Sequence, residues 1–157
     1  MKKYEITDIQ HPDYSFFHRI RALKDIPRYG VKAGDLGGYV ESEWNLSQEG
    51  DCWVGGNAWV YENARVCGNA WVGGNARVHE DAQVNGNAWV GGYARVHEDA
   101  QVNGNAQVGG YAWVFYNLTA NMKVETGIWK KSMTEKEWND MSWNEIKSKI
   151  NVKEWIC

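Results

Sequence analysis

Valine recurs at every sixth position from Val54 to Val114, ten consecutive steps without a slip. Alanine stands four residues after each valine from Val54 to Val108, at Ala58, Ala64, Ala70 and onward to Ala112. The unit is A-x-V-x-[G/E]-[N/D/Y]. A helix has no use for a period of six, and a flat strand demands two. Six residues with two inward side chains and a turn make one side of a three-sided coil. A longer period confirms the count of sides. Gly68 to Asn85 reads GNAWVGGNARVHEDAQVN, and Gly86 to Asn103 repeats it with Asn75 replaced by Tyr93. Residues 50–67, 68–85, 86–103 and 104–121 align as four such 18-residue units. The phase continues upstream, where Gly38-Tyr39-Val40 matches a second hexad and Trp44-Asn45-Leu46 a third, and downstream from Met122. The expected fold is all-β: a three-sided parallel β-helix of about five coils, stacked at strand spacing of about 4.8 Å.

Inward slots fall to Val and Ala, and the residue between them faces out. A fixed spacing of 18 then predicts three outward ladders. The first is Asp35, Trp53, Trp71, Trp89, Gln107 and Glu125. The second is Glu41, Trp59, Arg77, Arg95 and Trp113. The third is Ser47, Arg65, Gln83, Gln101 and Thr119. Corners fall on Gly-Asn, Glu-Asp and Glu-Asn, residues that tolerate positive φ.

The regular pattern covers residues 32–126, and a solenoid needs its ends covered. Residues 1–31 read as an N-terminal β cap. Lys3–Gln10 and Ser15–Ile26 form two strands around an HPDY turn at 11–14, with Phe16, Ile20 and Ala22 on one face. Residues 127–157 read as helical. Thr134-Glu135-Lys136-Glu137 and Ser142-Trp143-Asn144-Glu145 fit capping boxes, which predicts short helices at about 135–141 and 143–150.

Composition alters this picture in three ways. The 157 residues carry seventeen Gly but two Pro, which suits a stack whose coils need their N–H groups. Ten Trp are far more than a small core absorbs, and five of them (Trp53, Trp59, Trp71, Trp89 and Trp113) fall on outward slots. The net charge of −3 gives no strong case for nucleic acid. There is no apolar run of membrane-spanning length, and the start Met1-Lys2-Lys3-Tyr4-Glu5 offers no secretory signal. Cys52, Cys67 and Cys157 lack CxxC spacing and read as free thiols in a reducing cytoplasm.

The repeat resembles the hexapeptide-repeat family. That resemblance implies a left-handed β-helix and a homotrimer, and it raises CoA-dependent acyltransferase activity. The wider arrangement is R-I-R-A-L-K-D at 19–25, K-A-G-D-L-G-G-Y-V-E at 32–41 and N-L-S-Q-E-G-D-C-W-V at 45–54. It is similar to a group of small phage and prophage proteins known only as hexapeptide-repeat proteins or transferases. Family acyltransferases place a His base between subunits and often project a loop from an interrupted coil. Here residues 50–121 contain no insertion, and the repeat-borne His79 and His97 sit at duplicated corners. No nucleophile–base pair and no phosphate-binding Gly-rich loop is visible, so no catalytic residue and no cofactor is assigned.

The candidate binding residues are therefore Trp53, Trp71 and Trp89 on one side, and Trp59, Arg77, Arg95 and Trp113 on the next. Trp and Arg are enriched at binding hot spots. The Trp strip also suits a trimer interface, and the Arg row suits a carboxylate, phosphate or nucleobase. His79 and His97 make a two-His metal site conceivable, but duplication of a coil accounts for them and no metal is assigned. Residues 18–32 form a basic patch. The leading expectation is a non-catalytic homotrimer in the cytoplasm of an infected bacterium. There it inhibits a host defence factor, such as a CRISPR effector, by protein contact. An acyltransferase and a sponge for a nucleotide signal are the alternatives.

Overall fold

The computed structural model describes residues 2–119 and 121–129. The expected helices at 135–141 and 143–150, and Cys157, lie outside the described residues. The chain forms a three-sided parallel β-solenoid of about five turns. Each side is a ladder of two-residue strands. Face one stacks Trp53–Val54, Trp71–Val72, Trp89–Val90, Gln107–Val108 and Lys123–Val124. Face two runs through Trp59–Val60, Arg77–Val78, Arg95–Val96, Trp113–Val114 and Ile128–Trp129. Face three holds Arg65–Val66, Gln83–Val84 and Gln101–Val102. Among the described residues no helix is long and apolar enough to cross a membrane.

The register explains the sequence. Backbone N–H groups of one coil donate to carbonyls of the next, as Trp71 to Ala88, Arg77 to Ala94 and Gln83 to Ala100. Every inward Val from Val54 to Val114 and every Ala from Ala58 to Ala112 is fully buried. The prism is narrow, so valine, stiff at χ1 and suited to strands, fills the sides, and alanine fits beside the corners. Each corner closes a turn, for example Ala76 N–H to the Gly73 carbonyl. The residue after Gly73, Gly74, has φ +61°, where an L side chain is strained. A Cβ there would also lie 3.0 Å from the Gly92 backbone of the next coil. The corner after face two is different. It puts Glu62, Glu80 and Glu98 at φ near +56°.

The spacing of 18 holds only in the middle. Val40 pairs with Val60 and Leu46 bridges to Val66, because two extra residues enlarge the corner between Leu46 and Val54. Leu118 bridges to Val102 and Val124 pairs with Val108, because the corner after Val114 is two residues shorter. The ladder ends therefore differ from the fixed-spacing expectation. Tyr39, not Glu41, stands opposite Trp59, and Lys123, not Glu125, opposite Gln107. On face three, Asn45 and Asn117 take the places expected for Ser47 and Thr119, since Leu46 and Leu118 hold the inward slots. Asp35 is not in the face-one ladder, whose first strand is Trp53–Val54.

The N-terminal segment is a β-hairpin, as expected, but with shorter strands. Strand β1, Tyr4–Gln10, pairs antiparallel with β2, His18–Ala22. Strand β2 continues antiparallel onto β3, Leu36–Val40, which joins face two. Phe17 is buried and Phe16 exposed, because residues 11–17 form a loop in which the strand alternation does not apply.

The first coil has no predecessor to donate to its carbonyls, and side chains of the N-terminal segment supply the donors. The fully buried Lys3 amine donates to the carbonyls of Cys52 at 2.7 Å and of Glu49 and Gly50 at 3.3 Å. These carbonyls line the enlarged corner. Gln48 Oε1 accepts from the Lys3 and Tyr4 amides, and its Nε2 donates back to the Tyr4 carbonyl. Tyr4 Oη donates to the Leu46 carbonyl at 2.6 Å, and Asn45 Nδ2 to those of Glu62 and Ala64. Burial lowers the Lys3 pKa and raises that of the neighbouring Cys52 thiol.

Two variants test this arrangement. Val84→Asp places an unpaired charge in an apolar prism and is expected to abolish cooperative melting followed by circular dichroism. Lys3→Met leaves three carbonyls without their donor. It is expected to cost about 1–3 kcal/mol in chemical denaturation while the β spectrum persists.

Candidate functional site

Stacking in register sets each outward residue beside its counterpart one coil away. Aromatic rings gain from this and form columns. On face one, Trp71 and Trp89 stack at 5.2 Å with planes 11° apart. Their indoles lean over the glycine two residues on. A Cβ on Gly73 would lie 2.0 Å from Trp71, and one on Gly91 2.5 Å from Trp89. The two glycines of W-V-G-G thus do different jobs: the first makes room for a ring, and the second turns the corner.

Trp53 occupies an outward slot in the same ladder but is 2 % exposed. Strand β3 lies against it, since a Cβ on Gly37 would lie 2.8 Å from its ring. Trp53 therefore leaves the candidate surface. The expected strip of three tryptophans reduces to Trp71 and Trp89.

At the corner between faces one and two, Tyr93 and Tyr111 stack at 5.1 Å and 4°. They are 54 % and 66 % exposed, beside Trp89 at 39 %. Sequence reasoning left these tyrosines out of the candidate surface. The signal was present, because Tyr93 is the single difference between two otherwise identical repeats.

On face two, Arg77 lies 4.2 Å over the Trp59 ring and Arg95 4.8 Å over the Trp113 ring. The expected bracketing of two arginines by two tryptophans is present. Trp59 is half-buried, packed against His11, Tyr14 and Phe17 of the N-terminal loop at 4.9–5.4 Å. The structure thus brings Trp71, Trp89, Arg77, Arg95 and Trp113 onto two adjoining faces, with the tyrosines on the edge between them.

The basic stretch 18–32 is largely occupied in holding the hairpin. Arg19 donates to the carbonyls of Gly37 and Gly56 and to Asn57 Oδ1, and it lies over Tyr39. Arg21 faces Glu5, and Arg28 donates to Asn87 Oδ1. Asn87 belongs to an amide column in which Asn69 donates to Asn87 and Asn87 to Asn105.

At the corner between faces two and three, Tyr61, His79, His97 and Phe115 form one column, with centroids 4.8, 4.9 and 4.0 Å apart. Two of the left-handed glutamates, Glu62 and Glu80, reach the His one coil on. Glu62 Oε1 is 3.4 Å from His79 Nδ1, and Glu80 Oε1 is 3.3 Å from His97 Nδ1. His79, Glu80 and His97 offer ligand atoms within 4.8 Å of one another. The two imidazoles are parallel to within 9°, however. A metal about 2 Å from each nitrogen would leave the plane of at least one ring, so the stack does not converge on a metal.

Burial, and then the facing His97, hold the His79 pKa down to about 4. Burial also lowers that of His97, whose Nε2 is buried without a hydrogen-bond partner among the described residues. Both imidazoles are weakened as bases, and His79 has a ring stacked on each face.

No family model matches the chain, and no curated protein does.

The imidazole column makes stability depend on pH. Between about pH 4 and 6.5 an unfolded His79 binds a proton that the folded one does not. Stability therefore rises with pH across that window and is lost as pH falls through it. The full effect is of the order of 3 kcal/mol, with His97 acting in the same direction. His79→Phe keeps a ring in the column without a titrating group. Its melting temperature is expected to fall less steeply between pH 6.5 and 4 than that of the wild-type chain.

Proposed function

We propose that the chain is a non-catalytic binding protein that grips a protein partner along the edge between faces one and two. One observation carries this reading. The exposed rings of Trp89, Tyr93 and Tyr111, with Trp89 stacked on the half-buried Trp71, adjoin the arginine row along one edge. Aromatic side chains supply large contact area at small entropic cost, and Tyr, Trp and Arg dominate binding hot spots. The rings are already ordered by their own columns, so contact freezes little further motion.

The resemblance to phage-borne hexapeptide-repeat proteins supplies a setting. There the protein is a homotrimer in the bacterial cytoplasm, and its partner is a host defence factor such as a CRISPR effector, inhibited by occlusion of its surface. The acyltransferase alternative requires an imidazole base open to substrate. The depressed pKa of His79 and its place between two rings weigh against that role.

Capture from bacterial lysate with the immobilised chain tests the reading. Light scattering on the same preparation is expected to give three times the 17.9 kDa chain mass. Trp89→Ala and Tyr111→Ala are expected to keep the fold and that mass, and to lose a specifically captured host protein by a factor of about 30 or more. Unchanged capture by both variants rejects the surface.

A further inference from the structure

Arg77 and Arg95 face each other on adjacent strands of face two, one coil apart. Trp59 precedes them in the ladder and Trp113 follows. Each guanidinium stacks on the indole at its own end, Arg77 on Trp59 and Arg95 on Trp113. The two cations thus turn toward opposite ends of the row, as like charges do.

The other four arginines are all engaged. Arg19 and Arg65 donate to backbone carbonyls, Arg21 meets Glu5, and Arg28 meets Asn87. Among the described residues, Arg77 and Arg95 have neither an ion pair nor a hydrogen bond. Stacking uses the face of a guanidinium and leaves its in-plane N–H donors free. Each of the two arginines has a glutamate three residues on, Glu80 after Arg77 and Glu98 after Arg95. Glu80 turns toward His97, and among the described residues neither glutamate pairs with an arginine. On a chain of net charge −3, this is a local uncompensated pair of positive charges with its donors ordered in advance.

We propose that Arg77 and Arg95 form an anion site that takes a phosphate dianion. Its two charges match the two guanidiniums, and its tetrahedral oxygens present acceptors to both forks at once. A single carboxylate neutralises only one of them. The site goes beyond the protein-contact reading and does not need it. Trp89→Ala and Tyr111→Ala leave both arginines in place, so failed capture and failed phosphate binding are separate results.

The test titrates inorganic phosphate into the full chain at pH 7.5. It follows the guanidinium N–H resonances of Arg77 and Arg95, and the melting temperature against sodium chloride of equal ionic strength. Saturable shifts of both resonances are expected, with a higher melting temperature in phosphate. Arg77→Gln and Arg95→Gln, at outward positions, are expected to melt normally in chloride and to bind phosphate roughly tenfold or more weakly. Arg77→Lys keeps the charge but loses the fork, and should fall between wild type and Arg77→Gln. Shifts that do not saturate, equal melting in the two salts, or glutamine variants that bind as well as wild type each overturn the assignment.

Discussion

The structure depends on one constraint: each coil lies on the next in register, so that its N–H groups meet the carbonyls of the coil that follows. At a strand spacing of about 4.8 Å no side chain enters between coils, and all variation must point in or out. Inward, the prism admits only small or β-branched residues, so Val and Ala repeat at each turn. At the corners, glycine backbones approach the coil above too closely for a Cβ. Proline is missing from the stack because it has no N–H to give.

The same constraint governs the surface. Each outward residue meets the residue at the equivalent place one coil away, and chemistry decides whether that meeting is favourable. Indoles and phenols stack, and amides pass a hydrogen bond along the column. Charged groups cannot do this. The imidazole column is held together by neutral rings and by glutamates offset by one coil, at the expense of three glutamates in left-handed backbone. The arginine pair is separated onto two tryptophans and keeps unused donors. A repeat that is indifferent to what it displays thus sorts its surface into contact columns and one strongly positive place.

The first coil shows what periodicity leaves open. Its carbonyls require donors that no preceding coil supplies. A buried lysine amine and a tyrosine hydroxyl provide them from a segment without any repeat, and Gln48 of the first coil ties that segment down by donating to the Tyr4 carbonyl. None of these is recognisable in isolation, because the role of Lys3 exists only where the enlarged corner brings the carbonyls of Glu49, Gly50 and Cys52 around one amine. Strand β3 lies against Trp53, an outward residue by position and a buried one in fact.

The sequence by itself determined the three-sided coil, the inward Val and Ala, and the pairing of Arg77 with Arg95 between tryptophans. Each follows from a short period, and a period is visible wherever the chain obeys it. Only the tertiary structure decided where the period slips by two residues, so that Tyr39 and not Glu41 enters the second ladder. It also decided which outward rings stay exposed and which lie under the hairpin. The slip depends on which residues take the inward slots at Leu46 and Leu118, and the exposure of the rings on contacts between a non-repeating segment and the first coils, of which spacing along the chain carries no record.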